Sequence, residues 1–257
     1  MNPLQTLLQD NTSGSVELTL KLNQILKETK NKNDIENILY KVEIHLKDFA
    51  SINNYIFNIR NLLSDNKIKN LRKYFDSYEE QIIKQQEIIF KNAKPYIDNY
   101  KTFLTLSNSY TILQLLKRLN EIKKINVVVC ESRPKLEGRI LAQKLSDEKV
   151  ITNLITDSAM SIFIPQVEAV ILGADKILNN GNIINKTGSF SAAIISQYYN
   201  KPVYVIADKS KYVKKVKQEN NVEEKKNTWN VDINNTSDKI IYFEEVPAKL
   251  ITKIITD

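Results

Sequence analysis

Residues that could bind an anion or move a proton cluster in one stretch of the sequence, residues 127–189. This stretch contains four of the five glycines in the chain. It carries Arg133 before a proline, Asp175 after a glycine-alanine pair, and Asn185 and Lys186 shortly before Gly188. Each segment follows an apolar, β-branched run, and an open parallel sheet places its ligand loops at the ends of such runs. The sequence therefore predicts a ligand site formed by these loops.

The polar residues of these loops have the chemistry of a phosphate site. A guanidinium at position 133 can hold phosphate through two parallel hydrogen bonds. The segment 185–189 is expected to open a helix, whose free N–H groups together with Lys186 would suit an anion. Asp175 can accept a hydrogen bond from a ligand hydroxyl or act as a base. Ordinary structural roles remain open for all three: a salt-bridging arginine, a surface lysine and an aspartate that caps a turn.

The single cysteine and the single histidine are weaker candidates for catalysis. Cys130 ends a run predicted to be a buried strand, so we expect a packed thiol rather than a nucleophile. His45 lies in a predicted helix of the other half, carries no motif and is expected to be partly exposed. With one residue of each type, a disulfide framework and a zinc site built from several such ligands are excluded.

The elements that must position these residues are of two kinds. In the first hundred residues, apolar side chains recur at helical spacing in segments 18–26, 34–46, 52–63 and 67–93. After Pro95, β-branched runs alternate with helical segments, which predicts an α/β fold with a Rossmann-like open parallel sheet and helices on both faces. We assign residues 1–98 to a helical domain and residues 99–257 to the Rossmann-like ligand-binding domain.

The predicted elements of the second domain can be given by their bounds. The strands are Thr102–Thr105, Val127–Cys130, Val150–Ile155, Ala169–Leu172, Val203–Ala207 and Lys239–Phe243. The helices are Tyr110–Ile122, Leu136–Leu145 and Phe190–Tyr199. Residues 179–182 are predicted to form a tight turn, and residues 214–237 a long mobile loop. The lysines of segments 209–217 and 225–226 are expected to form a solvated basic arm.

Composition excludes several classes of function. The net charge of +7 is moderate, and 30 acidic residues are mixed with 37 basic ones, which argues against direct nucleic-acid binding. No segment approaches the roughly 20 apolar residues that cross a bilayer, and no secretory signal is visible. We therefore expect a cytoplasmic protein that does not contact membranes, and we expect no cofactor or metal.

Several short segments together resemble the translation initiation factor 2B alpha, beta and delta subunits. This superfamily also includes ribose-1,5-bisphosphate isomerase and methylthioribose-1-phosphate isomerase. The matching segments are Glu131–Pro134 with Gly138, Asp157–Ala159, Gly173–Asp175, Asn180–Gly181, Ile184–Gly188, Lys201–Val205, Val246–Pro247, Leu250–Thr252 and Ile254–Thr256. The resemblance extends over the region from Leu104 to Asp257 and implies a homodimer formed through the α/β half.

The resemblance also implies an altered active site. The family's isomerases move a proton between adjacent sugar carbons with a cysteine and an aspartate; the aspartate corresponds to Asp175, and Ser107 stands at the cysteine position. A hydroxyl is several pK units less acidic than a thiol. Tyr110 replaces a basic residue that often follows, and Asn11–Ser15 stands where the isomerases have an arginine-glycine loop. The positions that we expect to bind the ligand are Arg133, Asn185, Lys186, Gly188, Ser109 and Gly14.

These differences favour a non-catalytic regulatory protein of the initiation factor 2B alpha type. It would bind a phosphorylated sugar or nucleotide and contact translation partners such as initiation factor 2. The aspartate at position 175 is isomerase-like, so the alternative is a sugar-phosphate aldose-ketose isomerase in which Asp175 is the acid/base and Ser107 or a water completes the relay. A scaffold that binds no ligand is the third possibility.

Overall fold

A helical part precedes a parallel sheet, in the order that the sequence predicts. The computed structural model describes residues 2–64, 68–213, 222–225 and 238–257. The helices of the first part are α1 (Pro3–Gln9), α2 (Ser15–Glu28), α3 (Lys32–His45), α4 (Ala50–Ser64) and α5 (Ile68–Ile97). None of the helices in these ranges combines the length and the apolar character that crossing a bilayer requires.

The helical part is held by one apolar cluster. Leu18, Leu22 and Leu26 of α2 recur every four residues, so they lie on one helix face, and all three are buried. They pack in the same cluster as side chains from α1, α3, α4 and the first half of α5. The end of α5 belongs to a different cluster, because Phe90, Ala93 and Ile97 pack against the sheet.

The helix α5 continues through Pro95, past the predicted end of the helix at residue 93. Pro95 lies in the last turn of α5, which ends at Ile97, four residues later than predicted. Proline lacks one N–H donor and therefore removes one hydrogen bond of the helix. The next bonds form normally, since the amide of Asp98 donates to the carbonyl of Lys94 at 2.9 Å. The helix thus reaches the sheet as one continuous element.

Six parallel strands form the main sheet. They are β1 (Thr102–Leu106), β2 (Asn126–Cys130), β3 (Ile151–Ile155), β4 (Ala169–Leu172), β7 (Val203–Ile206) and β12 (Lys253–Ile255). Their spatial order is β3-β2-β1-β4-β7-β12, which is the doubly wound order of a Rossmann-like sheet. The five predicted parallel strands are confirmed, and β12 was missed. The chain order reverses between β1 and β4, the point where such sheets bind ligands.

Helices cover both faces of this sheet. They are α6 (Tyr110–Ile122), α7 (Glu137–Asp147), α8 (Met160–Phe163) and α9 (Ser189–Tyr198). One core holds α5, α6, α7 and alternate strand residues such as Val127 and Val129. The other holds α8, α9 and the intervening residues, for example Val128 and Cys130. The near-continuous apolar strands of the sequence are explained by this burial on both faces.

A second, smaller sheet was not predicted. It contains β5 (Lys176–Leu178), β6 (Ile183–Lys186), β8 (Tyr212–Val213) and β11 (Phe243–Val246). Its order is β11-β6-β5-β8, with β6 antiparallel to both neighbours. The predicted turn at 179–182 is confirmed as the β5–β6 connection, where Gly181 has φ +82° and its amide donates to Leu178. Asn185 and Lys186 therefore belong to a strand rather than to a helix start.

The region after β8 corrects two predictions. Residues 222–225, predicted as loop, form β9 (Val222–Lys225), which pairs with β10 (Asp238–Ile241). The rest of the predicted loop, 214–221 and 226–237, lies outside the described residues. The strand predicted at Lys239–Phe243 is divided at Tyr242, because β10 pairs with β9 whereas β11 pairs with β6.

Gly138 fixes the start of α7 against the end of β2. A Cβ at this position would lie 1.8 Å from the carbonyl oxygen of Cys130 and 2.9 Å from Ser132 Oγ. Because a backbone oxygen cannot move away without breaking the sheet edge, only glycine allows this approach. The contact places Glu137, the first residue of α7, beside the carboxyl ends of the strands.

We expect Gly138→Ala to lower the free energy of unfolding by about 3 kcal/mol, because the added methyl overlaps Cys130 O. The measurement is urea denaturation followed by far-ultraviolet circular dichroism. Gln143→Ala, on the exposed side of the same helix, is the control and should change stability by less than about 0.5 kcal/mol. Equal stability of Gly138→Ala and the control would contradict the packing described here.

Candidate functional site

A cavity of about 250 Å³ lies at the carboxyl ends of β1, β4 and β7, where α2 begins and α3 ends. It lies at the reversal of strand order. Six of the eight predicted site residues line it: Gly14, Ser107, Ser109, Asp175, Asn185 and Lys186. Arg133 and Gly188 are not among the lining residues. The structure therefore brings most of the predicted site together from loops that are distant in sequence.

One wall of the cavity contains a buried ion pair. Lys186 at the end of β6 is 3% exposed, and its Nζ donates to Glu137 Oε1 at 2.6 Å. Among the residues that the structure describes, Glu137 Oε2 has no hydrogen-bond partner although it is buried. Burial of two charges requires mutual compensation and further hydrogen bonds. The second carboxylate oxygen is therefore an acceptor that a hydroxyl of a ligand could satisfy.

An aromatic ring extends this wall. The ring centroid of Tyr242 lies 5.4 Å from Lys186 Nζ and 4.0 Å from Lys135 Nζ. Both lysines and the tyrosine line the cavity. Two ammonium groups near one ring bring positive charge to this part of the site, and the ring quadrupole stabilises both. An anionic group of a ligand would be attracted here.

Asp175 also lines the cavity, and 18% of its side chain is exposed. Burial raises the pKa of Asp175, while the positive charges of Lys211, Lys176 and Lys186 act in the opposite direction. Lys211 Nζ lies 4.0 Å from Asp175 Oδ1. A carboxyl group with a raised pKa can hold or release a proton nearer neutral pH than an ordinary aspartate.

Lys211 is a site residue that the sequence analysis missed. It was predicted to belong to a solvated basic arm, but it is 4% exposed and lines the cavity. Its ammonium group donates to Ser15 Oγ at the start of α2. The short turn of residues 209–211 causes this inward placement, because Asp208 Oδ1 accepts the amide of Ser210 at 3.0 Å and closes the turn. A run of lysines gives no sequence signal for one buried member.

Ser107 and Ser109 follow β1 at the floor of the cavity. Ser107 has φ +68°, and its amide donates to Ser132 Oγ at 2.7 Å. This bond ties the end of β1 to the loop after β2. Ser109 is the N-cap of α6, where its hydroxyl accepts the amide of Ile112 at 3.3 Å. Ser109 therefore has a structural role, and its role in ligand binding stays a prediction.

Gly14 brings the start of α2 against the same floor. A Cβ at this residue would lie 2.7 Å from the carbonyl oxygen of Asn108. Asn108 is buried, and its Nδ2 donates to the carbonyl of Thr12 at 3.2 Å. The loop before α2 is therefore held closely over the end of β1. This close approach is the physical role that the structure gives to the glycine at position 14.

Arg133 is held outside the cavity. The carboxylate of Asp157 accepts the amides of Ser132 and Arg133 at 2.8 and 2.7 Å, which fixes the loop backbone. The side chain of Arg133 is 54% exposed, and its Nε lies 3.4 Å from Glu131 Oε1. Arg139 pairs with the other oxygen of Glu131 at 2.5 Å, so the hydrogen bond and charge of Arg139, followed by those of Arg133, lower the pKa of Glu131. The salt-bridging alternative describes Arg133 in this structure.

The start of α9 does not offer the free N–H groups that the sequence analysis expected. Glu244 Oε1 of β11 accepts the amides of Gly188 and Phe190 at 2.7 and 2.8 Å. A carboxylate at a helix N-terminus takes the place that an anionic ligand would otherwise occupy. Asn185 does line the cavity, although its Nδ2 donates to Ser189 Oγ at 2.8 Å. The amides at this helix start are therefore capped from within the protein.

The cysteine and the histidine have different outcomes. Cys130 is fully buried, and burial, with a smaller effect of Asp157, raises its pKa to about 12. It is the packed thiol that we predicted. His45 is the last residue of α3. It was expected to be partly exposed and is exposed, but it also lines the cavity. Its Nδ1 lies 2.8 Å from the carbonyl oxygen of Lys41.

Within the described ranges, no group of three or more histidine, cysteine or acidic residues is arranged to hold a metal ion.

We expect Lys186→Met to lower the free energy of unfolding by about 3 kcal/mol, because it leaves the buried Glu137 carboxylate without a counter-charge. The double variant Lys186→Met/Glu137→Leu should recover most of that loss, as measured by urea denaturation of all four proteins in the cycle. Lys84→Met, which removes a lysine from an exposed pair with Glu80, is the control and should leave stability unchanged. Additive losses in the double variant would refute the coupling.

Comparison with known proteins assigns this architecture to a family. A 29% identical stretch of 175 residues, 66% of this chain, matches a Pyrococcus furiosus protein named eIF-2B subunit 2-like and spans 63% of its length. Ribose 1,5-bisphosphate isomerase of Methanocaldococcus jannaschii is 29% identical over 250 residues, 94% of this chain and 80% of its own. The crystal structure of Pyrococcus horikoshii translation initiation factor eIF-2B has the same fold, with a TM-score of 0.81 and 23% identity over 99% of this chain and 93% of that one. The sequence model of the initiation factor 2 subunit family matches residues 3–257. The chain therefore belongs to this family.

Proposed function

We propose that this chain is a non-catalytic regulatory protein of the initiation factor 2B alpha type. It binds a phosphorylated sugar or nucleotide in the cavity and acts in the cytoplasm through contacts with translation initiation partners, initiation factor 2 among them. The observation that carries this proposal is the composition of the cavity wall. Two buried lysines, Lys186 and Lys211, face the cavity, whereas the position that resembles the isomerase cysteine holds Ser107.

The polar groups of the cavity suit the two parts of such a ligand. The phosphate would lie toward Lys186 and Lys135, whose ammonium groups both lie near the ring of Tyr242. Sugar hydroxyls would donate to Glu137 and Asp175 and would satisfy the carboxylate oxygen of Glu137 that has no partner in the described part of the chain. A hydrogen bond to a charged group contributes more than one between neutral groups, so these contacts would carry most of the affinity.

The alternative is a sugar-phosphate aldose-ketose isomerase with altered catalytic residues. Two observations favour it: burial raises the pKa of Asp175, and the M. jannaschii relative with 29% identity is named an isomerase. In this reaction Asp175 would move the proton between the two sugar carbons. Ser107 or a water would complete the relay, with a far weaker acid than a thiol.

We expect ribose-5-phosphate or AMP to stabilise the protein without being converted. At 100 times the dissociation constant, a ligand adds about 2.7 kcal/mol of stability, which corresponds to a rise in melting temperature of about 5 °C or more for a domain of this size. Lys211→Met should weaken binding about tenfold through the loss of a charged donor. Lys209→Met removes an exposed lysine two residues away and should bind as the wild type does.

Assays of turnover separate the two candidates. Ribose-1,5-bisphosphate and methylthioribose-1-phosphate are incubated with the protein, and loss of the aldose is followed by NMR. Turnover that disappears in Asp175→Asn would establish the isomerase and overturn the regulatory proposal. Absence of both turnover and stabilisation would leave only the scaffold that binds no ligand.

We also propose that the chain forms a homodimer through the face of the α/β part near β3. Here β3 is an edge strand of the sheet, and its side chains Ile151 and Leu154 are 59% and 49% exposed. Ile162 of α8 is 61% exposed, and α8 packs against α9, which exposes Ile194 and Tyr198. Several large apolar side chains exposed on neighbouring elements are typical of a protein interface.

We expect the wild type to elute as a dimer and Ile162→Asp to elute as a monomer in size-exclusion chromatography with light scattering, because a buried charge opposes association. Ile44→Asp introduces the same charge at an exposed isoleucine of α3, which is 53% exposed, and should remain a dimer. A monomeric wild type, or equal behaviour of the two variants, would contradict this assignment of the interface.

A further inference from the structure

A second depression, of about 430 Å³, lies between the helical part and the segment after β7. It is bounded by α2, α4 and α5 on one side and by Asp208, Ser210 and Asp257 on the other. Three tyrosines form its aromatic side: Tyr55, Tyr74 and Tyr78. Their ring centroids are 4.6 Å apart for Tyr55 and Tyr78, 5.8 Å for Tyr55 and Tyr74, and 5.7 Å for Tyr74 and Tyr78. We call this depression the tyrosine cleft.

Two buried polar atoms beside the tyrosine cleft have no partner in the described ranges. They are Asp208 Oδ2 and Ser51 Oγ, on residues that are 3% and 8% exposed. The other oxygen of Asp208 accepts from Ser210. Native proteins leave few buried polar atoms unsatisfied, and a buried carboxylate oxygen is among the most unfavourable to leave so. A hydrogen-bond donor bound in the cleft would satisfy Asp208 Oδ2.

Among the three tyrosines, the carboxylate of Asp208 acts on Tyr78. Burial raises the pKa of Tyr78, and the neighbouring Tyr74 and then the negative charge of Asp208 raise it further. Asp208 and Tyr78 therefore interact electrostatically across the cleft. The arrangement places an unsatisfied carboxylate oxygen near aromatic rings, which is the combination that attracts cations.

The remaining charges of the cleft agree with a cationic occupant. Asp257 adds a second carboxylate, whose Oδ1 accepts the amide of Lys209 at 2.8 Å. Lys84 is the one lysine among the described lining residues, and its ammonium group pairs with Glu80 at 2.6 Å. The carboxylates are therefore not neutralised from within the lining.

We propose that the tyrosine cleft binds an organic cation with N–H donors, a primary ammonium or a guanidinium group carried on an alkyl chain. The cation donates to Asp208 and lies against the ring of Tyr78, and the alkyl chain packs on the other tyrosines. A quaternary ammonium fits the charge and the rings but cannot satisfy Asp208 Oδ2. A neutral alcohol fits the shape but brings no positive charge.

Three probes of similar size test this proposal on the wild-type protein: n-butylammonium, tetramethylammonium and n-butanol. Their dissociation constants are measured by saturation-transfer NMR at pH 7.5. We expect n-butylammonium to bind at least about tenfold more tightly than either of the others, since it alone combines charge with N–H donors. Equal binding of the amine and the alcohol, or no binding of the amine, overturns the proposal.

Variants locate the binding. Asp208→Asn should weaken n-butylammonium about tenfold, and Tyr78→Leu about threefold through loss of the aromatic face. Asp76→Asn removes a charge from an exposed aspartate of α5 outside the cleft and should bind as the wild type does. Should Asp208→Asn fail to fold by circular dichroism, Tyr78→Leu and the comparison of probes decide the question. Unchanged binding in a folded Asp208→Asn, or weakening in Asp76→Asn, places the amine elsewhere and refutes the site.

Discussion

The buried ion pair of Lys186 and Glu137 is the constraint on which the site depends. It joins the small sheet, through the end of β6, to the first residue of α7 across 49 positions of sequence. A carboxylate at a helix N-terminus interacts favourably with the helix dipole, so α7 stabilises the charge that Lys186 requires. The close approach of Gly138 to Cys130 fixes where that helix starts. Because each buried charge requires the other, the ion pair holds β6 and α7 together at the wall of the cavity.

The sequence predicted the elements whose signals are local and missed the interactions that come from distant residues. The strands of the main sheet are buried on both faces, so their β-branched runs were recognisable. The strands β5, β6 and β8 contain at most four residues each, too few for periodicity. Glu244 caps α9 from 54 positions away, and Lys211 donates to Ser15, which is 196 positions away. Neither contact leaves a sequence pattern near the start of α9 or near Lys211, and so their predicted roles were wrong.

The segment after β7 lies between the cavity and the tyrosine cleft. Asp208 lines both depressions, and Lys211, three residues later, faces only the cavity. The turn that connects them is closed by Asp208 Oδ1, while Asp208 Oδ2 is the oxygen that we propose to receive a cation. A cation on Oδ2 would leave in place the hydrogen bonds to Oδ1 that close this turn. The same turn positions Lys211, whose Nζ lies 4.0 Å from Asp175 Oδ1 in the cavity.

We interpret the charges of the cavity as better suited to holding a ligand than to moving a proton. Proton transfer between adjacent carbons needs a group that alternates between its two protonation states during the reaction. Asp175 is the strongest such group here, but Lys211, Lys176 and Lys186 all favour its ionised form against the effect of burial. A second titrating group near Ser107 would be needed to return the proton, and a hydroxyl supplies it poorly. His45 also lines the cavity, where its Nδ1 lies 2.8 Å from the carbonyl oxygen of Lys41 in the same helix. Fixed opposite charges are suited to orienting hydroxyl and phosphate groups, and this difference underlies the regulatory proposal.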